Sequence, residues 1–290
     1  MRAIGVFDSG FGGLTVFKEL RERLPDCDFI YLGDNARAPY GTKSFEAVYE
    51  YTRQAVKFLF EQGCPLVILA CNTASAKALR TIQQNDLIAW GDLTKRVLGV
   101  IRPTAEIAGT LTKSGHLGIV GTAGTVASRS YEIEIAKAFP RLKVVSQACP
   151  CWVDLVERGN VESAETQAAV ARDLQTLFAR DEKIDALVLG CTHYPLLMNA
   201  IKKCVPAGVR IFSQGAHVAE SLEDYLKRHP EMSARISRGG NAQFFTTGDV
   251  AQFNFHAQQF LGVPANAMGT GAEFFRLRID AYRAKRHPRH

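Results

Sequence analysis

The sequence predicts an α/β protein of two open parallel sheets that face each other across a cleft. Three observations predict it. Short, continuously apolar, β-branched runs alternate with longer amphipathic stretches, the pattern of strands buried on both faces and joined by helices. Two strand ends recur in the same order about 115 residues later, as Gly5 and Gly118 show at one site and Cys71 and Cys191 at the other. At 290 residues the chain is long enough for two medium domains.

The expected strands, in order, are Ala3–Phe7, Asp28–Leu32, Pro65–Ala70, Arg96–Val100, Leu117–Val120, Lys143–Gln147, Ala186–Leu189, Val209–Phe212 and Gln243–Thr246. Between them the period lengthens to that of helices at Ser44–Glu61, Ser75–Asn85, Val126–Phe139, Ser163–Ala179, Ala216–Arg228 and Val250–Leu261. Gly5-Val6-Phe7-Asp8-Ser9-Gly10 resembles Gly118-Ile119-Val120-Gly121-Thr122-Ala123, and Val67-Ile68-Leu69-Ala70-Cys71-Asn72-Thr73 resembles Leu187-Val188-Leu189-Gly190-Cys191-Thr192-His193. The period is too long for a solenoid and suits two related lobes. The expected division is residues 1–98 plus 209–270 as the first lobe, 99–208 as an inserted second lobe, and 271–290 as a basic tail. The fold class is therefore two pseudo-symmetric, flavodoxin-like domains. Such sheets bind ligands beyond the carboxyl ends of their strands, so both cysteines should point into one cleft.

Composition narrows the function. With 47% hydrophobic and 22% charged residues the chain has the balance of a globular protein. No apolar run reaches the roughly 18 residues that span a bilayer, so no membrane partner is expected. No signal or transit peptide is read at the N-terminus, and seven cysteines, an odd number, suit free thiols in a reducing cytoplasm. The net charge of +6 is concentrated at the end: residues 276–290 hold six basic residues against Asp280 alone. A short basic tail without aromatic interleaving or zinc spacing does not predict nucleic-acid binding. The oligomeric state is not legible, and a homodimer is compatible with the reading.

Cys71 and Cys191 are the residues most suggestive of chemistry. Each ends an apolar strand and precedes small polar residues that can start a helix, where backbone N–H groups and the helix dipole favour thiolate. A buried free cysteine is ordinary packing, but packing does not require the same strand-end context twice. Cys27, Cys64 and Cys204 carry no such context, and Cys149-Pro150-Cys151 lacks a second ligand pair, so no metal is expected. The loop Asp8-Ser9-Gly10-Phe11-Gly12-Gly13 is not a dinucleotide fingerprint: its spacing is wrong, and Asp8 would repel a pyrophosphate. Asp8 suits a substrate amino group or a thiol's proton partner, and Asp8 and Ser9 equally suit the cap of the next helix. His193, two residues after Cys191, can serve that thiol as proton partner. The turn Thr122-Ala123-Gly124-Thr125 offers hydroxyls and N–H groups to a carboxylate, and Arg37–Thr42 reads as a cleft wall.

Together these segments resemble the glutamate racemase family of the aspartate/glutamate racemase superfamily. The stretches that carry it are Gly5–Leu14, Tyr31-Leu32-Gly33-Asp34, Pro39-Tyr40-Gly41, Ala70-Cys71-Asn72-Thr73-Ala74-Ser75 and Gly190-Cys191-Thr192-His193-Tyr194-Pro195, within about residues 3–265. The resemblance implies cofactor-independent proton transfer between L- and D-glutamate, supplying D-glutamate for peptidoglycan. It implies that Cys71 takes the proton from D-glutamate and Cys191 from L-glutamate, with Asp8 and His193 as their partners and Glu157 assisting the second side. It also implies a substrate site of Ser9, Pro39, Tyr40, Gly41, Asn72, Thr73, Thr122, Thr125 and Thr192. Three features depart from the family pattern: Cys151 after Cys149-Pro150, the segment Ser213-Gln214-Gly215-Ala216-His217 in place of a more acidic one, and the basic tail. Other readings are an aspartate or other acidic amino-acid racemase, an amino-acid binding protein, and a thiol hydrolase. The last two leave one or both cysteines unexplained.

Overall fold

A computed structural model describes residues 2–262 and 264–271. It contains two wholly parallel sheets. The first has six strands in the order β10-β9-β2-β1-β3-β4, and the second has four, β6-β5-β7-β8. The strands are β1 Ile4–Asp8, β2 Phe29–Gly33, β3 Leu66–Leu69, β4 Arg96–Gly99, β5 His116–Gly121, β6 Lys143–Ala148, β7 Ala186–Gly190, β8 Arg210–Ser213, β9 Ala242–Thr246 and β10 Met268–Gly269. The run β2-β1-β3-β4 has the same order as β6-β5-β7-β8, with β1 equivalent to β5 and β3 to β7. The repeat in the sequence is thus a repeat of topology, and Cys71 and Cys191 each follow the third strand of a matched set.

Strand alternation fills both faces of each sheet. In the first sheet Ile4, Val6, Phe29, Tyr31, Leu66 and Ile68 pack into one apolar layer. Their neighbours Phe7, Ile30, Leu32, Val67 and Leu69 pack into the opposite layer. The second sheet repeats this, with Leu117, Ile119, Ala186 and Val188 on one face and Val120, Leu187 and Leu189 on the other. A period of two with both faces covered explains why these strands read as unbroken apolar runs.

Several expectations are corrected. The strand near Val209–Phe212 was placed at the start of the returning first lobe (209–270), but β8 pairs with β7 in the second sheet, so the chain crosses back one strand later. Sheet membership depends on which edge a strand docks against, which a short apolar run does not encode. The helix expected over Ser75–Asn85 starts earlier, at Asn72, and is interrupted by a π-type turn at Ile82–Asp86. Val126–Phe139 is two helices, Ala123–Ser128 and Ser130–Ala138, broken by Arg129 at φ +54°. The two-residue β10 was not expected. Of the expected basic tail 271–290, residues 272–290 lie outside the described residues. Among the described residues no helix is long and apolar enough to cross a membrane.

Candidate active site

Five loops at the carboxyl ends of the strands, those after β1, β2, β3, β5 and β7, build the site. After β3, Cys71 is the N-cap of the helix Asn72–Lys77, its sulfur accepting the Ala74 N–H at 3.4 Å. Its thiol donates to Ser9 Oγ, also at 3.4 Å. Ser9 belongs to the loop after β1, where the fully buried Asp8 accepts the Gly10 N–H at 2.9 Å. Neither Asp8 nor Ser9 is the N-cap residue of the next helix, Leu14–Arg23, which begins at Gly13 without a side-chain cap of its own, although the Asp8 carboxylate reaches the Gly13 backbone. Asp8 also faces the second sheet, accepting from Thr192 Oγ1 at 3.4 Å.

After β7, Cys191 Sγ lies 3.9 Å from Nδ1 of His193, whose Nε2 is 3.2 Å from Glu157 Oε1. Glu157 ends the helix Trp152–Glu157, so a carboxylate from one element orients an imidazole from another. After β5, Thr122 caps the helix Ala123–Ser128 by accepting the Thr125 N–H. Its hydroxyl lies 2.9 Å from that of Thr73, which is also 3.4 Å from Thr125 Oγ1, so a cluster of neutral hydroxyls forms across the two sheets. The Pro39-Tyr40-Gly41 loop closes the wall. Tyr40 donates to the buried Asp34, and Gly41 accepts the Gly124 N–H at 2.8 Å.

Two glycines permit this closeness. A Cβ on Gly12 would lie 2.3 Å from His193 Nδ1 and 2.5 Å from Thr192 Oγ1. One on Gly41 would lie 2.8 Å from Thr122 Cβ.

Both cysteines line a single compact cavity of about 20 Å³. With them are Ser9, Pro39, Tyr40, Gly41, Asn72, Thr73, Thr122, Glu157, Thr192 and His193. Asp8 and Thr125 stand behind that wall, bonded to Thr192 and to Thr73. Val153 also lines the cavity and was not foreseen, since an apolar residue in a helical stretch carries no signal of its own. A larger cavity, about 740 Å³, opens beside Arg80, Arg102, Lys137 and Tyr225, and contains neither thiol. Size alone would favour it, but the smaller one holds the paired acid–base groups that chemistry requires.

The electrostatics correct one expectation. Cys71 was expected to lean toward thiolate. Burial and the neighbouring Asp8 instead push its thiol up to about 12, outweighing the Ser9 and Ala74 contacts. A helix dipole's partial charge cannot offset the removal of a thiolate from water beside a carboxylate. Asp8 is itself raised by burial, against the opposing pull of His193. His193 goes the other way: burial disfavours its charge, but Cys191 and Glu157 overcome that and lift it to about 10. The site therefore holds a proton firmly at Cys71 and favours an imidazolium beside Cys191.

The chain is similar to known proteins in sequence and in fold. A family model described as Asp/Glu/Hydantoin racemase matches residues 12–221. A glutamate racemase from Ruegeria sp. is 44% identical over 270 residues, covering 89% of this chain and 96% of that relative. A crystal structure of a glutamate racemase isoform from Bacillus anthracis matches with a TM-score of 0.82 at 37% identity, covering 92% of this chain and 97% of the other. One from Francisella tularensis, in complex with D-glutamate, matches at 0.79 and 32% identity, covering 92% and 95%.

Proposed function

The chain belongs to the Asp/Glu/hydantoin racemase family, among its glutamate racemases, and from that membership we propose that it interconverts L- and D-glutamate with two cysteines. The observation that carries the reading is that Cys71 and Cys191, from equivalent strands of two sheets, border one cavity. Inverting a carbon requires a base on one face and an acid on the other, and two thiols meet that need in both directions.

With L-glutamate, Cys191 removes the α-proton, its charge balanced by the His193 imidazolium that Glu157 holds. Cys71, kept as a thiol by burial and Asp8, delivers a proton to the opposite face. D-glutamate reverses the roles. The α-proton is a very weak acid, so carbanionic character must be met by fixed donors in a site shut off from bulk water. Ser9, Asn72, Thr73, Thr122 and Thr192 are neutral donors, each at most 8% exposed. The cavity has room for little more than a water, so entry of an amino acid requires its walls to part and close again.

D-glutamate for peptidoglycan is the proposed use of the product. The test is circular dichroism of L- or D-glutamate incubated with the purified chain and no added cofactor. Loss of signal toward zero from either enantiomer is expected, and a stable signal from both overturns the reading. Among the alternatives, an aspartate racemase would work through the same two thiols, and substrate preference separates it.

A further inference from the structure

The chemistry above makes no use of the Ser213-Gln214 segment, yet Gln214 is 5% exposed and joins four parts of the molecule. It follows β8, where the chain leaves the second sheet for the helix Gly215–Arg228. Its Oε1 accepts the Asn72 side-chain N–H at 2.8 Å. Its Nε2 donates to Thr104 Oγ1 at 3.0 Å and Val100 O at 3.2 Å, both on the stretch that leaves the first sheet, and to the Tyr131 hydroxyl. Tyr131, from the helix Ser130–Ala138, donates to Asn72 Oδ1 at 2.6 Å. Asn72, Tyr131 and Gln214 thus close a buried ring between the two sheets.

The ring fixes which way Asn72 faces. A flip of its carboxamide would set Asn72 Oδ1 against Gln214 Oε1, two acceptors with no hydrogen between them. The Tyr131 hydroxyl, able to donate or accept, tolerates either orientation. Gln214 is therefore the member that discriminates. In the observed orientation one Nδ2 hydrogen is taken by Gln214 and the second is left for a ligand in the cavity that Asn72 lines.

We infer that Gln214 is a positioning residue for substrate: it locks the Asn72 carboxamide so that an N–H, and not the carbonyl, meets a substrate carboxylate. The inference rests on the glutamate reading. It is tested by the Kd of glutamate from calorimetry, which needs no turnover, for the unaltered chain, Gln214→Met, Asn72→Ala and the double variant. Gln214→Met should weaken binding about tenfold, the loss of one well-aimed hydrogen bond to a charged group. In the Asn72→Ala background it should cause no further weakening, because the group it orients is gone. Tyr131→Phe should change Kd by less than about threefold, as that hydroxyl does not discriminate orientation. Should Gln214→Met fail to fold, Gln214→Asn, which withdraws the carboxamide by one methylene, carries the same expectation. An unchanged Kd in a folded Gln214 variant, or an equal weakening with and without Asn72, overturns the inference. An unaltered chain that binds glutamate without inverting it overturns the reaction and leaves this binding role standing.

Discussion

Cys191 Sγ and His193 Nδ1 stand 3.9 Å apart, with the other nitrogen of the ring directed at Glu157. The contact links a thiol to an imidazole whose charge is favoured up to about pH 10. Removing the acid behind the ring should weaken that preference. Glu157→Gln is expected to lower the His193 pKa and move the alkaline limb of kcat/KM for L-glutamate to lower pH. The stability sign follows from linkage: a folded pKa raised above 6.5 contributes stability that is complete below pH 6.5 and lost as pH rises toward 10. Cys191 still raises the ring in the variant, so the variant should lose only the share of that contribution that Glu157 supplies at neutral pH, and converge with the unaltered protein above pH 10. Coincident pH profiles would remove Glu157 from the pair.

Gly12 presses on the same ring from the first sheet's loop. Gly12→Ala places a methyl where His193 and Thr192 now stand, and neither can withdraw without leaving the thiol or Asp8. A displacement on the order of 1 Å should cost roughly a hundredfold in kcat/KM. The thermal midpoint, read by differential scanning fluorimetry, should fall only modestly, because the loop borders a cavity and not a packed core. Near-normal activity would mean the glycine is there for the turn alone.

How much of this was legible in the sequence depends on the kind of signal. All nine expected strands appear within a residue or so of their places, because burial on both faces leaves an apolar run that needs no context. The two thiols were legible because β3 and β7 end alike. The joining of the lobes was not: the sheet that β8 enters, and the ring of Asn72, Tyr131 and Gln214, are set by packing between segments 59 and 142 residues apart. The Cys71 protonation state is not legible either, because strand-end context reports nearby dipoles but neither the depth of burial nor the approach of Asp8.

Substrate length should be read by the hydroxyl cluster. Thr73, Thr122 and Thr125 sit at fixed separations, and aspartate, one methylene shorter, cannot reach the site's donors with its α-carbon between the sulfurs. Each buried donor left unpaired costs about 1–3 kcal/mol. Two such losses give glutamate an advantage on the order of a hundredfold or more in kcat/KM. Equal values for the two substrates, from coupled assays, would assign the chain to a broader acidic amino-acid racemase with the same thiols.

Each cysteine should be indispensable in both directions, since each is acid in one and base in the other. Cys71→Ala and Cys191→Ala should each lower racemisation of either enantiomer by about 10²–10⁴-fold, the usual worth of a general acid or base. A single-cysteine variant with near-normal rates both ways would remove that thiol from the reaction.

The most direct measurement is early-time racemisation in heavy water, followed by proton NMR at the α-carbon. Two thiols on opposite faces predict that the product enantiomer carries solvent deuterium from the first turnovers while recovered substrate remains almost unlabelled, whichever enantiomer is supplied. Equal early labelling of substrate and product would mean one base serves both faces, and would contradict the assignment of Cys71 and Cys191 as a pair.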